Sequence, residues 1–323
     1  MGSDACDHVL YADDRDEEAE LHLTLECGRP GVATRHDVDA DHCAAALDGW
    51  LAANRGKALS ELLVTTSRVH HGSLRPVASV LAAHRPEVRR LGLGALAFPD
   101  FGRGDHIPGD LTRDGSSWTL SVPLEAVFAA VPTVEQLVVQ CNDISVNQGA
   151  LPQMARLQRL VLRDSACDPE VVDALAASAF PRLESLELWL GRFEFGWGRS
   201  ARDLVPLLNN PGFGALRRLT LVSDLDDALV DVLADSRLIG RLESLSLPFG
   251  VFGSSAAARL RDRWSVFGHL RMLDVRGNAI PEDAARALLE TEPDVVALGT
   301  QRMCLDGARF APPLVSFFDA WRR

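Results

Sequence analysis

The chain has 323 residues, 47% of them hydrophobic, with 45 acidic against 33 basic side chains and a formal charge of -12. That much apolar content can build a continuous core and excludes a disordered polymer. The negative balance disfavours a general electrostatic affinity for nucleic acid or an anionic membrane, although a local basic patch is compatible with it. Lys57 is the only lysine, a skew that reads as a GC-rich bacterial genome and describes codons rather than function.

The N-terminus, Met1-Gly-Ser-Asp-Ala-Cys-Asp7, places acids where a secretory signal has a basic segment and an apolar run, so no such signal is expected. No apolar run reaches the roughly 20 residues of a membrane helix. Six cysteines (Cys6, Cys27, Cys43, Cys141, Cys167 and Cys304) are thinly spread with no C-x-x-C pair. Their spacing predicts reduced thiols and, with the points above, a cytoplasmic protein. Before the first repeat, Glu20–Glu26 reads as a strand and Asp39–Ala53 as an amphipathic helix carrying Leu47, Trp50 and Leu51. Residues 1–56 are therefore expected to form an N-terminal α/β cap.

From residue 57 one pattern recurs: an apolar residue, a second three further on, and a third two beyond that. Leu270-Arg-Met-Leu273-Asp-Val275-Arg-Gly-Asn278-Ala-Ile280 fills every position of L-x-x-L-x-L-x-x-N-x-L, and Val134, Leu137, Val139, Asn142 and Ile144 nearly do. Other copies begin at Leu59, Val88, Leu157, Leu183, Leu216, Leu242 and Val295. The nine copies are separated by 29, 46, 23, 26, 33, 26, 28 and 25 residues. Each copy alternates as a strand does. In Leu183–Leu188, Leu186 and Leu188 face one side while Ser185, Glu187 and Trp189 face the other.

Such strands, stacked in parallel, need return crossovers. Three are legible as helices. Asp168-Pro169-Glu170 supplies a cap, a first-turn proline and an early acid ahead of Val171, Val172 and Leu175. Leu225, Leu229, Val232 and Leu233 form another apolar face, as do Leu74, Val77, Val80 and Leu81. The eleventh position reads Val69, Phe98, Ile144, Cys167, Phe193, Asp226, Phe252, Ile280 and Leu305, apolar except for Asp226, so Cys167 and Phe193 are expected in the core. Only Asn142 and Asn278 fill the asparagine position, which predicts an incomplete asparagine ladder.

These strand-helix units resemble the ribonuclease-inhibitor-like class of leucine-rich repeats over about residues 55–305. Leu183-Glu-Ser-Leu-Glu-Leu-Trp-Leu-Gly191, followed by Asp203-Leu-Val-Pro-Leu-Leu208, is similar to an uncharacterised bacterial family of such proteins. The resemblance implies an α/β fold, a right-handed solenoid with its parallel sheet on the concave side and helices on the convex side. It also implies a binding scaffold rather than an enzyme. The expected organisation is a cap over 1–56, the repeats over 57–305 with insertions at 99–117 and 192–200, and a C-terminal capping helix in 306–323. Pro312–Arg323 carries that helix's apolar face at Leu314, Phe317, Phe318 and Trp321.

Chemical motifs are few. Gly92-Leu-Gly94-Ala-Leu-Ala97 matches the dinucleotide fingerprint G-x-G-x-x-A, yet Phe-Pro-Asp-Phe-Gly follows it instead of a helix start, and both glycines fall on outward strand positions. Cys27, His36, His42 and Cys43 are metal-ligand types without zinc spacing. The acids Asp100, Asp105, Asp110 and Asp114 lack the order of a calcium loop. Arg103-Gly104-Asp105 is read as coincidence, and His70-His71 as an exposed turn. No cofactor and no metal is expected.

The reading is a scaffold for a protein partner whose identity the sequence does not give, with no nucleic-acid and no membrane partner. The alternatives are an enzyme or small-molecule-binding protein built from scattered residues, and a structural subunit of a fixed assembly. The expected partner site is aromatic: Trp189, outward from its strand, with Phe195 and Trp197 of the following insertion, ringed by Arg159, Arg163 and Arg218. The competing arrangement buries Trp189 under Phe195 and Trp197 as a private satellite core.

Overall fold

A computed structural model describes residues 21–27, 40–66, 71–95, 119–141, 143–147, 149–164, 167–191, 199–291, 294–299 and 301. Described elements run β1 (Leu21–Cys27), α1 (Ala40–Ala53), β2 (Leu59–Thr66), β3 (His71–Ser73), α2 (Arg75–His84), β4 (Val88–Ala95), β5 (Thr119–Pro123), α3 (Leu124–Ala130), β6 (Gln136–Cys141) and β7 (Asp143–Ser145). They continue with β8 (Arg159–Asp164), α4 (Pro169–Ala176), β9 (Ser185–Gly191), α5 (Val205–Leu208), β10 (Arg218–Ser223), α6 (Ala228–Ala234) and β11 (Ser244–Ser246). Last come α7 (Ser254–Asp262), α8 (Trp264–Phe267), β12 (Met272–Asp274), α9 (Glu282–Leu289) and β13 (Val296–Ala297).

Ten strands form one open, wholly parallel sheet in the order β1-β2-β4-β6-β8-β9-β10-β11-β12-β13, and β3-β5-β7 form a second, three-stranded sheet. Apart from the small-sheet strands, each neighbour is the next strand in the chain. The segments read as a strand and a helix ahead of the repeats are β1 and α1, and β1 pairs in parallel with β2. The 46-residue interval that follows Val88 contains β5 and α3, so it still returns through a helix. The expected loop over 99–117, Phe193, Asn142, His70, and the helix expected in 306–323 lie outside the described residues.

Register follows the leucine pattern from Leu62 to Leu273 without a slip, but the copy expected to begin at Val295 is displaced: Leu273 pairs with Val296 and not with Leu298, three residues beyond Val295. Leu62 pairs with Leu91, Leu91 with Leu137, Leu137 with Leu160, Leu160 with Leu186, Leu186 with Leu219, Leu219 with Leu245, Leu245 with Leu273, and Leu273 with Val296. All are buried in one core with the apolar faces of the helices. Asp168 caps α4 as its sequence predicts, accepting from the Glu170 amide at 2.9 Å. In α4 Val171, Val172 and Leu175 are buried, and so are Leu229 and Leu233 of α6. At the eleventh position Ile144, Cys167, Phe252 and Ile280 are buried. Asp226 is exposed, accepts from the Ala228 amide at the start of α6, and leaves the inner place to its neighbour Leu225.

A further repeat position escapes the pattern search. Three residues before the first apolar position of the six copies from Val134 to Leu270 stand Val131, Met154, Phe180, Phe213, Ile239 and Phe267, all buried. The carbonyl of each accepts from the amide three residues on, at 2.9–3.3 Å, turning the chain into its strand the same way six times. Phe128 meets Phe180 edge-on at 5.8 Å, and Phe180 stacks on Phe213 at 5.9 Å.

The broken asparagine ladder is replaced by assorted side chains. Asn278 Nδ2 donates to the Leu247 and Val275 carbonyls at 2.8 and 2.9 Å, and its Oδ1 accepts from the Phe252 amide at 3.2 Å. Elsewhere Asp164 accepts from the Ile144 amide at 2.7 Å, Asn210 donates to the Leu175 and Ser178 carbonyls, and Gln301 donates to the Val275 carbonyl. Each ties one unit to another and satisfies buried backbone groups that would otherwise cost about 1–3 kcal/mol.

The expectation of reduced thiols is corrected at Cys43, which is fully buried on α1 and disulfide-bonded, its partner sulfur lying outside the described residues. Thin spacing in sequence does not measure separation in a fold that stacks distant segments. Disulfides belong to oxidising compartments, so cysteine chemistry does not place the chain in the cytoplasm. Among the described residues, no helix is long and apolar enough to cross a membrane.

Two predictions follow from this packing. Leu219→Ala is expected to cost about 2–5 kcal/mol, whereas Thr220→Ala, on the other face, leaves the urea midpoint nearly unchanged; the reverse result would put the strands in the wrong phase. Burial, with Asp164 beside both, raises the Cys141 and Cys167 thiols well above the ordinary range. They are therefore expected to resist iodoacetamide at pH 8 until the protein is denatured, while Cys43 needs a reductant as well. Because the folded state holds these thiol protons more tightly, their contribution to stability is full below the unfolded thiol pKa and is lost as pH rises through the folded value. Native labelling as fast as that of a free thiol counts against this.

Candidate functional site

The side of the sheet away from the leucine column presents three rows of side chains, fixed by the strand register. The first crosses the strand entrances: Glu61, Arg90, Gln136, Arg159, Ser185, Arg218, Ser244 and Met272. The second reads Leu63, Gly92, Val138, Val161, Glu187, Thr220, Ser246, Asp274 and Ala297. The third reads Gly94, Gln140, Arg163, Trp189 and Val222.

Accessibility divides this face along the strands. In the first row Arg218 and Met272 are exposed, while Gln136, Arg159, Ser185 and Ser244 are half-buried. In the third row Gln140, Arg163, Trp189 and Val222 are all buried, and Leu63, Val138 and Val161 of the second row join them. None of Leu63, Val138, Val161, Trp189 or Val222 belongs to the main core. The face therefore carries its own apolar layer at the strand exits.

Trp189 was expected to be an exposed anchor, and this is corrected: it points away from the leucine column as alternation demands but is only 4% exposed. Its indole Nε1 donates to Glu187 Oε1 at 2.9 Å, and the Arg163 guanidinium lies over its ring, 5.1 Å from the centroid. Arg163 Nε donates to the same Glu187 oxygen at 2.7 Å and Nη1 to Gln140 Oε1 at 3.2 Å. Three adjacent strands thus contribute to one buried polar network in which the cation is neutralised by a carboxylate and capped by an aromatic face. Alternation gives the direction of a side chain but not what covers it, which is why the sequence misplaced this tryptophan and Arg163.

Of the other residues expected at the site, Arg159 and Arg218 lie in the first row, one strand apart on either side of Ser185. Phe195 and Trp197 lie outside the described residues. At the end of their insertion, Arg199 grips both oxygens of Asp173 at 2.7 Å, and that pairing holds its guanidinium charged. Ser200 starts the next turn by donating to Asp203 from its amide and hydroxyl, which holds the Asp203 carboxyl below the usual carboxylate range.

Gly94 has φ +133, and a Cβ there would lie 1.9 Å from the Gln140 carbonyl oxygen. The glycine matching the nucleotide fingerprint is thus demanded by the close approach of β4 to β6. Ser246 donates to buried Asp274 at 3.1 Å, and Arg276 closes on the same carboxylate at 2.9 Å. His269, nearby in sequence, turns its Nε2 to the Ile239 carbonyl at 3.0 Å. Among the described residues no group of three or more His, Cys, Asp or Glu side chains is placed to hold a metal ion. A hollow of about 360 Å³ beside α4 is lined by Gly149, Glu170, Asp173, Ala174 and Ala177, offering carboxylates and small apolar groups.

The buried network generates a test. Glu187→Gln strips the countercharge from a cation taken out of water and is expected to cost about 3–5 kcal/mol. Combining it with Arg163→Met should recover part of that loss, with a coupling of about 1–3 kcal/mol in a double-mutant cycle. Additive losses in chemical denaturation would show that the two charges act independently.

No family model matches the chain, and no curated protein matches it in sequence. Among solved structures it is similar to a crystal structure of a protein from Bacteroides fragilis, at 16% identity and a TM-score of 0.66, over 91% of this chain and 77% of that one. At that identity the likeness concerns the fold alone: an α/β chain whose large parallel sheet is assembled strand after strand in sequence order, as in a repeat protein.

Proposed function

We propose that the chain is a leucine-rich-repeat solenoid of the ribonuclease-inhibitor-like class, capped at both ends, that works as a scaffold for a protein partner and not as an enzyme. The observation carrying this reading is the leucine register, with eight consecutive leucines in one column followed by Val296 and a return segment between each pair of strands. Repeat stacking of this kind spreads a continuous surface over many units instead of closing a pocket. The partner surface is the entrance half of the face opposite the helices, from Gln136 to Met272. It mixes amide, hydroxyl, arginine and methionine side chains, and arginine and methionine are enriched at interfaces. Arg159 and Arg218 stay in the site, while Trp189 and Arg163 support it from beneath.

Placing a photo-cross-linking residue at Ser185 or Ser244 is expected to trap one and the same protein in the native cell, in a complex that re-forms from purified components. The same residue at exposed Arg261 of α7 should not trap it. Equal trapping from Arg261, or a stoichiometric small molecule in native mass spectra with no protein complex, would replace the scaffold by the ligand-binding alternative.

A further inference from the structure

We draw no further inference here: the strongest candidate, the hollow beside α4 lined by Gly149, Glu170, Asp173, Ala174 and Ala177, offers only a pair of acids among small residues, one of them already gripped by Arg199, and nothing in the structure points to a ligand that would fill it.

Discussion

A column of inward leucines at one shared register is the constraint from which the rest of the structure follows. Because side chains alternate with a period of two, placing Leu137, Leu160, Leu186, Leu219, Leu245 and Leu273 on one side of the sheet fixes every other residue of those strands on the other. A slip of a single residue would bury Arg159 and Arg218 in the helix-side core and expose the leucines, so the core alone holds the opposite face in alignment. That face inherits its three rows from packing it takes no part in.

The fold was largely legible in the sequence because its signal is redundant. Eight copies in one register average away local irregularities such as the 46-residue interval after Val88, while the copy placed at Val295 was read two residues late because Val295 and Val296 are both apolar. The cap of α4 was readable from Asp168-Pro169-Glu170, three residues acting on their own helix end. What escaped was non-local or chemically varied. The buried positions from Val131 to Phe267 are filled by valine, methionine, phenylalanine and isoleucine, and only a shared turn reveals that they are equivalent. The stitches supplied by Asp164, Asn210 and Gln301 were invisible to a search for asparagine in one column. Trp189 was placed on the correct face and given the wrong exposure, since burial there depends on what lies over the strand exits. Cys43 likewise required knowledge of which distant segment meets α1.

The opposite face joins two environments that differ in kind. At the strand exits, Gln140, Arg163, Glu187 and Trp189 form a satisfied network whose members hold one another in fixed rotamers. At the strand entrances of the same sheet, Gln136, Arg159, Ser185 and Ser244 are half-buried and Arg218 and Met272 are exposed. Residues along one strand, such as Arg218 and Val222 on β10, therefore stand in different surroundings: Val222 is buried at the exit and Arg218 is exposed at the entrance. Rigid support beneath an adaptable rim limits the ordering entropy that binding must overcome.

Strand length also changes along the sheet. β2 and β4 have eight residues each, β10 has six, β11 and β12 have three, and β13 has two. In a stack where each unit touches chiefly its neighbours, cooperativity is set link by link, and the links between β10 and β13 hold far fewer backbone bonds than those between β2 and β8. The sheet is thus graded like a zipper with its finest teeth at one end. A ladder graded in this way is expected to open first among the short strands β11 to β13, with their amide hydrogens exchanging faster than those of β2 to β8.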